Sequence, residues 1–166
     1  AQVRAGVGEA HLHPRRLRHP PQHLRAVVGD GGAPADRGAV LEHQIEEGVD
    51  GVHAAALDAD LAVVCTPVNH IVDDARDLAA VLNSEALITD VGSTKGIVCE
   101  ELADLDGSNG PAFVGSHPLT GSQLQGFEHA DPELFEGRVC VVTPFGTSRD
   151  IDIQAIEQFW SDLGSV

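Results

Sequence analysis

Positive charge is scarce in this 166-residue chain. Ten lysine and arginine residues stand against 26 aspartate and glutamate residues, which gives a formal net charge of −16 at pH 7. Lys95 is the only lysine in the sequence. A surface this acidic repels nucleic acids and anionic membranes, so we expect neither as a partner. The acidity fits either a generally soluble surface or adaptation to high salt, where screening removes the self-repulsion.

Cysteine and long apolar runs are also scarce. Cys65, Cys99 and Cys140 lie far apart, each in or beside an apolar run, which predicts buried, reduced thiols and a cytoplasmic protein. No apolar run approaches the about 20 residues that a membrane helix needs. The N-terminus lacks the basic, apolar and small-residue order of a signal peptide. A composition of 42% apolar and 22% charged residues fits one soluble globular domain.

Short apolar runs alternate with helical patterns along most of the chain. Strand followed by loop and helix, repeated several times, predicts an α/β fold with a Rossmann-like, doubly wound and mostly parallel sheet. The run LAVVC at 61–65 is continuous, as expected of a parallel strand buried on both faces. Trp160 is predicted to lie in the core. Further strands are predicted at 24–29, 86–89, 112–114 and 139–142, and helices at 35–48, 66–82, 94–103 and 149–163.

The first 25 residues differ from the rest, because they hold half of the chain's ten basic residues. Gly6 and Gly8 could open a dinucleotide-binding loop, but His11 stands where the third glycine is required. The first βαβ unit is therefore divergent or damaged, and a shifted reading frame is one hypothesis for residues 9–24. A metal site based on His11 and His13 is the competing idea. No third ligand has suitable spacing, so we predict no metal.

Polar residues follow several predicted strands. Asp30 ends the second strand, where it would hold the ribose hydroxyls of NAD in preference to NADP, or act as a turn aspartate. Thr66, Ser93 and His117 each follow a later strand. Because ligands of open parallel sheets lie beyond the carboxyl ends of the strands, we expect these three segments to meet in one crevice. Taken singly, His117 could be a loop histidine, Ser93 a helix N-cap and Lys95 a solvated helix residue.

Three motifs carry a family resemblance. DVGSTK at 90–95, GSHPLTGS at 115–122 and LFEGR at 134–138 resemble prephenate and arogenate dehydrogenases of tyrosine biosynthesis. The resemblance extends from about Val49 to Val166. It implies NAD-dependent oxidative decarboxylation of prephenate to 4-hydroxyphenylpyruvate, or of arogenate to tyrosine, with NADP as an alternative cofactor. It also implies a homodimer for the full-length family members.

The resemblance assigns roles to individual residues. His117 would accept the proton of the ring hydroxyl, and Ser93 would hydrogen-bond that hydroxyl and orient the nicotinamide. Independently of the resemblance, Lys95 is a candidate for attracting an anionic substrate, because it is the sole lysine and lies near a predicted helix N-terminus. The implied cofactor-binding residues are Gly6, Gly8, Asp30, Thr66, Pro67, Gly92 and Ser93. The implied substrate-binding residues are Ser93, His117, Gly121, Ser122 and Gln123, the last of which stands where the family has a carboxylate.

The chain is predicted to be a single domain. Residues 1–166 would form the dinucleotide-binding domain, with residues 1–25 atypical. The family's helical domain, which makes the dimer and contributes arginine and histidine contacts to the substrate carboxylates, would lie outside this sequence.

Two alternatives stay open at this point. The chain could instead be an inactive fragment or pseudoenzyme that binds no dinucleotide. It could also be another NAD(P)-dependent dehydrogenase of the β-hydroxyacid type, although that class is expected to use a lysine on a later helix.

Overall fold

A computed structural model describes residue 56 and residues 59–121 and 131–166, together with the backbone of two short strands nearer the N-terminus. These are β1 (Val27–Val28) and β2 (Ala39–Val40), which pair antiparallel with Val27 opposite Val40. The helix predicted at 35–48 is therefore wrong at Ala39 and Val40. β-Branched valines favour the extended backbone of a strand, and here a cross-strand partner overrides the helical spacing of the apolar residues.

Three parallel strands form the main sheet, in the order β3, β4, β5. A helix connects each consecutive pair, which is the crossover that parallel strands require. The elements are β3 (Leu61–Val64), α1 (Ile71–Ala79), β4 (Leu87–Asp90), α2 (Gly96–Glu101) and β5 (Ala112–Phe113). In register, Leu61 to Val64 lie opposite Leu87 to Asp90, and Leu87 and Ile88 lie opposite Ala112 and Phe113.

Both faces of this sheet are covered, as the continuous apolar runs predict. On β3, Ala62 and Val64 join the cluster that includes residues of α1 and α2. Leu61 and Val63 point the other way and join the cluster that includes the C-terminal helix α3 (Asp150–Asp162). The described residues thus confirm a doubly wound α/β sheet, and Trp160 of α3 is confirmed as a core residue with 2% of its surface exposed.

A second, antiparallel pair of strands lies beside the carboxyl end of the main sheet. The pair consists of β6 (Gly115–Pro118) and β7 (Cys140–Thr143), with His117 opposite Val141. The chain enters β6 only two residues after β5 ends. His117, which the sequence pattern places in a loop, therefore lies on a strand.

The helices begin later than predicted. Residues 68–70 form a turn in which the His70 N–H donates to the Pro67 carbonyl at 2.8 Å, and α1 follows only from Ile71. Proline fixes its own φ angle but does not oblige the next residues to continue as helix. Among the described residues, no helix is long and apolar enough to cross a membrane.

Candidate active site

The carboxyl ends of β3 and β4 lie side by side, and the residues that follow them share one edge of the sheet. Val64 pairs with Asp90, and the Val91 N–H donates to the Val64 carbonyl at 3.2 Å. Thr66 comes two residues after β3, and Ser93 comes three residues after β4. The structure therefore brings Thr66 and Ser93 to the same edge, as parallel pairing requires.

His117 reaches this edge from β6. The preceding residue, Ser116, lies against the last residue of β4, since its N–H donates to Asp90 Oδ1 at 3.2 Å. Side chains alternate along a strand, so His117 points to the face opposite Ser116. Ser116 is fully buried and His117 is half-buried, which leaves the imidazole accessible beside the strand ends.

Asp90 forms the polar centre behind this edge. Its side chain is fully buried and makes an ion pair with Lys95, whose side chain is 11% exposed. The Gly92 N–H also donates to Asp90 Oδ2, at 2.9 Å. Burial raises the pKa of Asp90, and the Lys95 ammonium and the N–H groups of Gly92 and Ser116 oppose that rise.

The structure corrects two expectations about this loop. Lys95 is neither a solvated helix residue nor a free positive charge for an anionic substrate, because its charge is compensated by Asp90. Ser93 is not a helix N-cap either, since α2 begins at Gly96 and its N-cap is Lys95. Ser93 is instead exposed in the loop between β4 and α2, where its hydroxyl can meet a ligand.

Glycine at position 92 allows the loop to pass close to the sheet. A Cβ atom added there would lie 2.6 Å from Ile71 Cδ1 and 2.9 Å from Asp90 Oδ2, so these side chains would have to shift to accommodate it. Glycine therefore lets the loop bring the Gly92 N–H to the Asp90 carboxylate without displacing either group.

A hydrogen-bond network around Ser116 was not foreseen from the sequence. Ser116 Oγ lies 2.6 Å from the Asp90 carbonyl, 2.7 Å from Thr89 Oγ1 and 2.9 Å from Trp160 Nε1. All of these groups are buried. The available signal was the single polar residue between Gly115 and His117, at a position where a strand buried on one face should carry an apolar side chain.

Thr66 carries the unsatisfied polar atom at this edge. Its Oγ1 is buried and has no hydrogen-bond partner among the described residues. Buried hydroxyls normally have a partner, so one that faces the carboxyl ends of parallel strands is suited to a ligand. Pro67 follows in an exposed position. Gly121 is also exposed, with φ of +136°, a conformation that side-chain-bearing residues rarely adopt.

Several predicted site residues lie outside the described part of the chain. They are Gly6, Gly8, Asp30, Ser122 and Gln123, and the suggested His11 and His13 metal site lies outside it as well. Within the described residues, no group of three or more histidine, cysteine or acidic side chains could hold a metal ion.

The three cysteines are free thiols, and the prediction that they are buried is right for two of them. Cys65 and Cys99 are buried and Cys140 is half-buried, all as free thiols. Burial raises the pKa of Cys65 to about 12 and that of Cys140 to about 11. Both thiols are therefore protonated near neutral pH, and neither is a candidate nucleophile.

Two dehydrogenases are similar to this chain in sequence. Cyclohexadienyl dehydrogenase of Zymomonas mobilis is 32% identical over 117 residues, which cover 69% of this chain and 39% of that protein. Prephenate dehydrogenase of Bacillus subtilis is 35% identical over 120 residues, covering 72% of this chain and 30% of that protein. The chain thus spans well under half the length of these relatives.

Solved structures give the same result. The prephenate dehydrogenase of Aquifex aeolicus, solved also in complex with hydroxyphenyl propionate and NAD+, superposes with a TM-score of 0.61 at 29% identity. The arogenate dehydrogenase of Synechocystis superposes with a TM-score of 0.61 at 26% identity. These two enzymes match over 69% of this chain and 40% of their own chains.

A family model matches most of the chain. The model of the prephenate dehydrogenase nucleotide-binding domain covers residues 24–166, which include every described element of the fold. The match begins just after the atypical N-terminal segment. This chain therefore belongs to the prephenate dehydrogenase family, as its nucleotide-binding domain.

Proposed function

We propose that this chain is the NAD-binding part of an enzyme that oxidatively decarboxylates prephenate or arogenate in tyrosine biosynthesis. The observation that supports this most directly is the position of His117. It lies half-buried at the sheet edge that Thr66 and Ser93 also reach. In a doubly wound sheet this edge is the place where a dinucleotide and its substrate meet.

The residues at this edge fit a nicotinamide cofactor. The Thr66 hydroxyl, which has no partner among the described residues, and the exposed Pro67 would flank it on one side, and Gly92 and Ser93 on the other. When bound, the nicotinamide would supply the oxidant by taking a hydride from the hydroxyl-bearing ring carbon. NAD is favoured because the related Aquifex aeolicus enzyme was solved with NAD+. Asp30 would contribute by holding the ribose hydroxyls.

His117 would act as the proton acceptor. As the ring carbon becomes a carbonyl, the hydroxyl proton has to leave, and a neutral imidazole can take it near neutral pH. Ser93 would hydrogen-bond the same hydroxyl and so align it with the imidazole. The ring carboxylate then leaves as CO2, and its bonding electrons complete the aromatic ring while the carbonyl oxygen becomes a phenolate, which can take the proton back from His117. No second base is needed for that step.

Within the part of the chain that the structure describes, Lys95 does not explain how the substrate carboxylates are held. Lys95 is neutralised by Asp90, and the surface as a whole is strongly acidic. The chain covers 40% of the length of the solved relatives, whose remaining length offers further groups. We propose that basic residues outside the described part of the chain bind the carboxylates, and that the active enzyme is a homodimer.

Substitution of His117 tests the catalytic assignment. NADH formation is measured with prephenate and with arogenate for the parent chain and for His117→Asn. The account predicts turnover of one substrate and a loss of about 10²–10⁴-fold in the variant, the range expected for a removed general base. His70→Asn is the control, because His70 is also half-buried but lies before α1. Equal rates for parent and His117→Asn would contradict the assignment.

A further inference from the structure

The regular hydrogen bonding between β4 and the strand beside it changes where the chain leaves the sheet. The N–H groups of Ala112 and Val114 donate to the carbonyls of Ala86 and Ile88, at 3.1 and 2.9 Å. Continuation of this parallel pattern would take the Ser116 N–H to the Asp90 carbonyl. Instead, the Ser116 N–H donates to the Asp90 carboxylate at 3.2 Å, and the Ser116 hydroxyl donates to the Asp90 carbonyl at 2.6 Å.

Two side chains thus replace one backbone hydrogen bond. A side chain lies between the two backbones in each of these contacts. β6 is therefore farther from β4 at Ser116 than a direct N–H to carbonyl hydrogen bond would place it. β6 pairs with β7 instead, from Gly115 opposite Thr143 to Pro118 opposite Cys140, and His117 lies opposite Val141. The direction in which β6 leaves the sheet is therefore decided one residue before His117.

The protons of the network restrict how Ser116 can be arranged. Thr89 Oγ1 lies 2.7 Å from the Val114 carbonyl and 2.7 Å from Ser116 Oγ. The two hydroxyls have one proton each, but three short contacts need a proton. The indole N–H of Trp160 is a donor only, and it occupies a lone pair of Ser116 Oγ at 2.9 Å. This donation restricts the orientation of the Ser116 hydroxyl, whose proton can then go to the Asp90 carbonyl at 2.6 Å.

Trp160 is itself held firmly. Its ring makes edge contacts with Phe135 and Phe159, at centroid distances of 5.3 and 4.9 Å. It is the only tryptophan of the chain, and it is 2% exposed. The position of helix α3 is therefore transmitted through one hydrogen bond to the residue that precedes His117.

We propose that Ser116 and Trp160 are positioning residues for His117. Trp160 fixes the hydroxyl of Ser116, and Ser116 fixes the point at which β6 leaves β4. The imidazole on the opposite face of β6 is thereby held at the sheet edge. The role of His117 in turnover rests on the function proposed above, whereas its placement by this network is a separate claim.

Nuclear magnetic resonance of the 166-residue chain tests the placement. The ring signals of His117 are identified by their loss in His117→Gln, and the indole N–H signal of Trp160 is unique. We expect Ser116→Ala and Trp160→Phe to shift the His117 ring signals. Ser116→Ala should also speed exchange of the indole proton with water by about tenfold, as expected for the loss of one buried hydrogen bond. Ser116→Thr, which keeps the hydroxyl, should restore the parent signals.

Ile156→Val is the matched control. Ile156 is fully buried on the same helix and belongs to the same apolar cluster, but it makes no hydrogen bond to Ser116. This variant should lose stability without shifting the His117 signals. Unchanged His117 signals in both network variants would overturn the proposal, and so would an equal shift in the control. If Ser116→Ala does not fold, Trp160→Phe and the near-isosteric Thr89→Val give the same test.

NAD affinity separates this proposal from the proposed function. Thr66 and Ser93 are not part of the network, so Trp160→Phe should bind NAD as tightly as the parent chain. A parent chain that binds no NAD would contradict the proposed function, but the shift of the His117 signals would still support the positioning role. NAD binding by the parent chain, together with unshifted His117 signals in the network variants, would support the proposed function and contradict the positioning role.

Discussion

We expect the largest local loss of folding stability when the ion pair between Asp90 and Lys95 is broken. Asp90 is fully buried, so removal of Lys95 would leave a carboxylate without its cation in the protein interior. Lys95→Met should lower the free energy of unfolding by about 3–5 kcal/mol. Urea unfolding measures this loss. Arg76→Met is the control, because the Arg76–Asp104 pair is largely exposed and worth about 0–1 kcal/mol. Equal losses of unfolding free energy in the two variants would contradict the prediction that the buried pair contributes more than the exposed one.

The loss in Lys95→Met should also depend on pH. Burial already raises the pKa of Asp90, and removal of the cation raises it further. The folded variant then binds a proton more tightly than the unfolded chain does. Its stability therefore increases as the pH falls from the folded pKa toward the ordinary carboxyl value. Unfolding of Lys95→Met and parent across this range should show a shrinking difference at acidic pH.

At the scale of elements, β6 depends on the absence of a side chain at Gly115. A Cβ atom there would lie 2.9 Å from Cys99 Sγ and 3.3 Å from the Thr143 carbonyl. Gly115→Ala should therefore lower stability by about 1–3 kcal/mol. Gly96→Ala is the matched variant, because it has open space at the start of α2 and should gain about 0.4–1 kcal/mol. Thermal unfolding of both variants checks the prediction, and a stable Gly115→Ala would contradict it.

The elements also show what sequence patterns can reveal. β3 and β4 were predicted to within one residue at each end, because strands buried on both faces leave continuous apolar runs. Helical spacing around Ala39 and Val40 was misleading, since those residues pair with β1. The position of His117 on β6 depends on the hydrogen bonds between Asp90 and Ser116, which lie 26 residues apart in sequence. No local pattern carries that information.

The same limit applies to the candidate site. Convergence of Thr66, Ser93 and His117 could be predicted, because parallel strands share their carboxyl ends. The partner of Lys95 could not, since a lysine at the start of a helix is usually solvated. Trp160 was predicted as a core residue, but its hydrogen bond to Ser116 depends on how α3 packs against the sheet. Tertiary contacts of this kind decide which polar residues support a site.

At the scale of the whole molecule, the account depends on whether the sheet edge binds a dinucleotide. Thr66 Oγ1 is buried there without a partner among the described residues. Loss of that hydroxyl in Thr66→Val should weaken binding by about tenfold, the effect of one hydrogen bond. Thr147→Val is the control, since Thr147 Oγ1 already donates to the Ala103 carbonyl at 2.8 Å.

Calorimetric titration of the purified chain with NAD, with NADP for comparison, tests this claim most directly. We expect saturable NAD binding with a dissociation constant of about 1–100 μM, equivalent to roughly −8 to −5 kcal/mol, and weaker binding of NADP. The affinity should fall in Thr66→Val and stay unchanged in Thr147→Val. Absence of saturable NAD binding by the parent chain would contradict the account and favour a family member that keeps the fold without the cofactor.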